Sequence, residues 1–185
     1  MSFKHKPWPE WLFWIGALIL VFSMVVPGAW QIRIRRRHAM TRADLRAIVR
    51  ATENFFNEYG YPPTALRNVP GGVRFGDVRP NAEVLNPLRA VDGPGNENHR
   101  VNPNRLVFLR VPAVEPGRSG VNEQGEFLDP WGQPYQIVLD TDLEYIVRFP
   151  RSIYRPLDET SVAAWSYGPD RKPDSPDDIL SWEQP

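Results

Sequence analysis

Hydrophobic and polar positions divide the chain into three patterns. From Trp11 to Trp30 the run WLFWIGALILVFSMVVPGAW holds no charged side chain. About 20 such residues, at roughly 1.5 Å rise each, cross a hydrocarbon core of about 30 Å. The run therefore predicts a transmembrane helix over 11–30, preceded by a short N-terminal segment over 1–10. Trp8, Trp11 and Trp14 flank it on one side and Trp30 on the other, where indole rings favour the headgroup level. From Gln31 the pattern turns amphipathic. Leu45, Ile48, Thr52, Phe55 and Tyr59 recur at steps of three and four, one face of a helix. This predicts that the spine continues over 31–60, until Gly60, Pro62 and Pro63 stop it.

The third pattern, 61–185, alternates short apolar runs with turn residues and predicts one globular domain. Residues 61–104 read as loop, with a short helix around Ala82–Ala90. Arg105–Val111 reads as a strand closed by Pro112. Tyr135–Leu139 and Tyr145–Phe149 read as a hairpin around Asp140-Thr-Asp-Leu-Glu144, and Ser161–Tyr167 as a last strand. One long helix followed by about four antiparallel strands makes an α+β fold, the helix packed on a small sheet.

Composition changes this picture in three ways. The chain has 185 residues with 22 Lys plus Arg against 22 Asp plus Glu, so no global charge draws it to nucleic acid. The charge is uneven: Arg33, Arg35, Arg36, Arg37, Arg42, Arg46 and Arg50 crowd the early helix with Asp44 their only acid, while Asp170, Asp174, Asp177, Asp178 and Glu183 gather near the end. There is no cysteine, which excludes disulfides, thiolate catalysis and cysteine metal sites.

The start does not read as a cleaved signal peptide. Lys4, His5 and Lys6 form a basic region, but the apolar run is too long and lacks a small-x-small site, so an uncleaved anchor is expected. Arg33, Arg35, Arg36 and Arg37 outnumber Lys4 and Lys6 across the run, and a positive-inside count puts the C-terminal domain in the cytoplasm. Candidate catalysis is sparse. There is no Gly-x-Ser-x-Gly, no His-Glu-x-x-His, and no phosphate loop around Pro70-Gly71-Gly72 or Gly93-Pro94-Gly95. His5, His38 and His99 are scattered. The chain is not expected to be an enzyme.

Three stretches carry a resemblance. They are Ala43–Thr64, ending in an aromatic pair and Tyr59-Gly60-Tyr61-Pro62-Pro63; Leu128-Asp-Pro-Trp-Gly-Gln-Pro-Tyr135; and Ser166-Tyr-Gly-Pro-Asp-Arg-Lys-Pro-Asp-Ser-Pro-Asp-Asp-Ile179. Together they resemble the type IV pilin-like proteins, most closely the major pseudopilin of type II secretion; no motif covers 65–125. The resemblance implies a pilin-like domain in a structural or accessory subunit of a pseudopilus or related filament, assembling through its N-terminal helix. Its partners would be the membrane, other pilin-like subunits or copies of itself, and inner-membrane secretion components, one of which hydrolyses ATP. It implies an inner-membrane location with the N-terminal segment 1–10 cytoplasmic and the globular domain outside, against the positive-inside count. The arginines Arg33, Arg35, Arg36 and Arg37 would then meet headgroups or another copy's acidic surface.

The resemblance also assigns sites. Glu10 and Pro27 stand at about the family's glutamate-to-proline spacing, which makes them assembly residues; a solvated Glu10 at the interface is the alternative. That alignment puts His5 and Lys6 where the family has a glycine and a phenylalanine at its cleavage point. The departure favours a second reading, a non-polymerising tethered binding or scaffold protein. Calcium takes six to eight oxygens. The resemblance implies Ca2+ in the terminal loop, at Asp170, Asp174, Asp177 and Asp178, with a solvated acidic turn as the alternative. Asp140, Asp142 and Glu144 read as a hairpin turn. In Asp129-Pro-Trp-Gly the aspartate reads as a turn cap, the tryptophan as core and the glycine as a positive-φ position.

Overall fold

The computed structural model describes residues 10–149 and 154–183; within the first helix the side chains of residues 10, 12, 13 and 16–30 are outside the description. Residues 1–9, with Trp8 and nearly all of the segment expected to be cytoplasmic, fall outside it, as do the side chains of Glu10, Pro27 and Trp30. Helix α1 runs from Glu10 to Tyr59, and Gly60 follows at φ 72 with its N–H on the Phe56 carbonyl, a left-handed C-terminal stop. The chain divides into two compact units, 1–36 and 37–185, so the head takes in the helix from Arg37 onward.

Among the described residues no helix is long and apolar enough to cross a membrane. This corrects the expected single-pass inner-membrane location with its transmembrane segment over 11–30. The described side chains of α1 lie mostly from Gln31 onward, where arginines recur too often for an apolar span.

The head is α+β. Strands β1 (Val73–Phe75), β4 (Gln136–Leu139), β7 (Val162–Ser166) and β8 (Ile179–Leu180) form one antiparallel sheet in the order β1-β4-β7-β8. Register is set by Val73 opposite Leu139, Leu139 opposite Val162, and Trp165 opposite Leu180. Two small ribbons join it: β2 (Gly120–Val121) with β3 (Phe127–Leu128), and β5 (Ile146–Val147) with β6 (Leu157–Asp158). Helix α2 (Ala82–Arg89) stands where the sequence suggested one.

The sheet is covered on both faces, which is why β4 and β7 are buried at every position rather than alternately. On one side Leu45, Ile48, Ala51 and Phe55 of α1 meet Phe75, Ile137, Leu139 and Ala164, with Val84, Leu85 and Leu88 of α2. On the other, Val138, Ala163 and Trp165 carry a second core with Val147, Phe149, Tyr154 and Trp182.

Two strand expectations are corrected. Arg105–Val111 forms no strand. Leu88 takes the N–H groups of Phe108 and Leu109 on its carbonyl, and Asn102 takes that of Leu106, so the run lies beside α2 and α1 instead of in the sheet. Nor do Tyr135–Leu139 and Tyr145–Phe149 pair. The buried Asp140 carboxylate takes the N–H groups of Asp142, Leu143 and Tyr145, turning the chain away so that β5 pairs with β6.

Candidate functional site

The terminal acidic loop connects β7 to β8. Two glycine-sized constraints shape its neck. Gly168 takes φ 66, and a Cβ there would lie 2.3 Å from the Asp177 carbonyl oxygen. The loop therefore closes on itself at a point only glycine fits. Asp177 then accepts the Asp170 N–H at 3.0 Å, and Asp178 accepts that of Asp174 at 3.1 Å.

Ser175 sits at the centre. Its hydroxyl lies 2.6 Å from Asp177 Oδ1, 3.1 Å from Asp178 Oδ1 and 3.3 Å from Asp170 Oδ1. One hydroxyl has one proton to donate, and the shortest contact assigns it to Asp177. Tyr154 donates its hydroxyl to Asp178 from the neighbouring aromatic core. Burial pushes the Asp178 carboxyl up, while the Tyr154 and Ser175 hydroxyls pull it down. Asp177 ends below the usual carboxylate range: burial, the largest single influence, pushes it up, and the Ser175 hydroxyl and backbone N–H groups together outweigh that.

The fold thus brings Asp170, Asp177 and Asp178 together, with Asp174 in the same loop at φ 60. Among the described residues, however, no group of three or more His, Asp or Glu is arranged to hold a metal ion. The carboxylates turn to Ser175, Tyr154 and the loop's own N–H groups. As arranged, the donor set does not fit calcium.

Beside the loop lies a cleft of about 210 Å³ between His38, Arg42, Asp177, Asp178 and Glu183. His38 packs edge-on against Trp131 at 5.3 Å. Burial and the Arg42 charge hold its imidazole below its ordinary value, with Asp177 pulling the other way. Trp131 belongs to the Asp129-Pro-Trp-Gly turn. Asp129 Oδ1 accepts the N–H groups of Trp131 and Gln133, both at 2.9 Å, and Asp129 Oδ2 accepts the Ser166 hydroxyl at 2.6 Å. Gly132 takes φ 84. The turn thereby ties the loop's first strand to the segment beneath it.

The other anticipated residues disperse. Trp11 is exposed, as are Arg33, Arg35 and Arg36, while Arg37 is half-buried. Asp142 accepts the Gly71 N–H, and Glu144 pairs with Arg148 at 2.8 Å on the surface. Sequence reasoning missed Asp44. It reads as one acid among arginines, yet it points inward and accepts the Tyr135 hydroxyl at 2.8 Å. Its place on the core side of the helical wheel, one residue before Leu45, was the available signal. Burial pushes its carboxyl up, against the hydroxyls of Ser119 and Tyr135. No family model, curated protein or solved structure matches the chain.

Proposed function

We propose that the chain is a structural subunit of a type II secretion pseudopilus or related pilus-like filament, assembling with copies of itself through α1. The observation that carries this reading is a helix covered on one side only. Over the head, Leu45, Ile48, Thr52 and Phe55 are buried against the core, whereas Ala39, Arg42, Ala43, Arg46 and Arg50 on the opposite side are exposed. A helix of this length, with a small-residue and arginine face left open, suits packing beside other helices. Asp129 and Asp140 are occupied by hydrogen bonds of the fold, and Asp44 by Tyr135. The calcium that the resemblance implies is not part of the proposal, because the loop closes on its own donors.

The test uses the absence of native cysteine. Ala39→Cys and Asn57→Cys are placed together on the open face of the full chain and oxidised. A ladder of disulfide-linked multimers supports the filament reading. Monomer alone at every protein concentration overturns it. A second reading, a non-polymerising binding or scaffold protein built on the same head, is favoured by His5-Lys6 at the position where the resemblance calls for glycine and phenylalanine. It expects that monomer.

A further inference from the structure

Two turns that the sheet brings side by side are clasped by an acid pair. The Pro70-Gly71-Gly72 turn leads into β1, and the 140–145 turn leaves β4, its antiparallel neighbour. Asn68 and Val69 donate their N–H groups to the Thr141 carbonyl and hydroxyl, and that hydroxyl donates to the Val69 carbonyl. Beyond Thr141 the clasp passes to Asp142, whose Oδ2 accepts the Gly71 N–H at 3.0 Å. Asp142 Oδ1 is out of contact with solvent and meets no hydrogen-bond donor among the described residues. A buried acceptor left without a donor destabilises the fold, and a charged one does so more.

The neighbour able to supply that donor is the buried Asp140. Its Oδ1 accepts two N–H groups, from Asp142 at 3.2 Å and Leu143 at 2.9 Å, which fills both lone pairs. Its Oδ2 accepts one, from Tyr145 at 2.6 Å, and keeps room for a proton. We propose that Asp140 and Asp142 share one proton, carried on Asp140 Oδ2 and donated to Asp142 Oδ1, and that its loss to solvent as pH rises turns Asp142 outward and releases Gly71. Ionised Asp140 retains its three N–H donors, so the 140–145 turn persists while its clasp on the turn before β1 opens. A cation stands beside the pair. Arg148 comes to 4.0 Å from a Cβ placed on Gly71, and Glu144 holds its guanidinium at 2.8 Å, so it favours ionised Asp142 without replacing the proton. Burial and the Asp142 carboxyl push Asp140 up against its three N–H groups, while the Asp140 hydroxyl and the Gly71 N–H hold Asp142 below the usual carboxylate range. The raised Asp140 contributes stability fully present below the ordinary aspartate value and lost as pH rises through its own. The lowered Asp142 contributes stability lost as pH falls through its own, so the clasp is firmest between the two.

An NMR titration of the full chain from about pH 4 to about pH 8, upward from the ordinary aspartate value, tests this. The carboxyl carbons of Asp140 and Asp142 should move together through one step above that value, and the Gly71 amide should shift with them. Asp142→Asn keeps a carbonyl for Gly71 and gives Asp140 a permanent N–H donor, so in that variant the Gly71 step should vanish. Melting gives a second readout. The native melting temperature relative to that of Asp142→Asn should fall by roughly 3 °C or more over the same range. Asp44 titrates in both proteins and cancels in the difference. A Gly71 amide indifferent to pH, a step that survives in Asp142→Asn, or a constant difference in melting temperature overturns the inference. Should the variant not fold, the native titration decides alone. Asp140 and Asp142 carbons that move at separate midpoints, or only at and below the ordinary value, overturn it.

Discussion

Asp129 carries three hydrogen bonds on one fully buried carboxylate, two to backbone N–H groups and one to Ser166 on β7. Asp129→Ala should leave those donors unpaired and cost about 3 kcal/mol, read by urea denaturation, with Asp129→Asn costing less because one oxygen remains to accept. Asp44 makes a pH prediction. Its carboxyl is raised in the folded state, so between the ordinary aspartate value of about 4 and that raised value the native chain binds more protons than the unfolded one. Its contribution is therefore fully present at low pH and is lost as pH rises through the folded value. Asp44→Asn keeps an acceptor for Tyr135 and removes the titration. The variant should gain stability relative to the native chain between about pH 4 and pH 7, and a constant difference across that range would refute the assignment.

At the scale of elements, the β7–β8 loop is held by its own side chains. Gly168→Ala should cost about 2–3 kcal/mol, because φ 66 and the approach of the Asp177 carbonyl both oppose a Cβ. Ser175→Ala removes the one hydroxyl among three carboxylates and should lower the melting temperature by several degrees, as expected of about 1 kcal/mol in a domain of this size. Millimolar calcium should leave the native melting temperature unchanged relative to chelator. A clear rise that vanishes in Asp177→Ala would show that the loop reopens around an ion. The element scale also shows the limits of periodicity. Arg105–Val111 has the composition of a strand but no free sheet edge reaches it, and Asn102 and Leu88 hold it elsewhere. The hairpin at 140–144 fails because one buried aspartate collects three backbone donors, which no apolar alternation reveals.

For the whole molecule the governing feature is a helix with two uses. Over the head its inner face builds the core, and Ala39, Arg42, Ala43, Arg46 and Arg50 on its outer face stay exposed. If the open face assembles copies, raising salt should weaken association steeply, since exposed charge pairs are screened beyond about 10 Å at 0.1 M ionic strength. An association insensitive to salt would place the energy in apolar contacts and not in the arginines.

The amino-acid sequence by itself determined the long helix, its inner face of Leu45, Ile48, Thr52 and Phe55, its stop at Gly60, the α+β class, and the closure of the chain by an acidic segment after Tyr167. These follow from local spacing and turn chemistry, which act within a few residues. Only the tertiary structure decided that Asp44 turns inward to Tyr135, that β1 rather than the 105–111 run edges the sheet, that both sheet faces are covered, and that Ser175 gathers three aspartates. Each of those depends on which distant donors, acceptors and apolar surfaces the fold brings within contact, and that is a property of the packed chain rather than of any stretch of it.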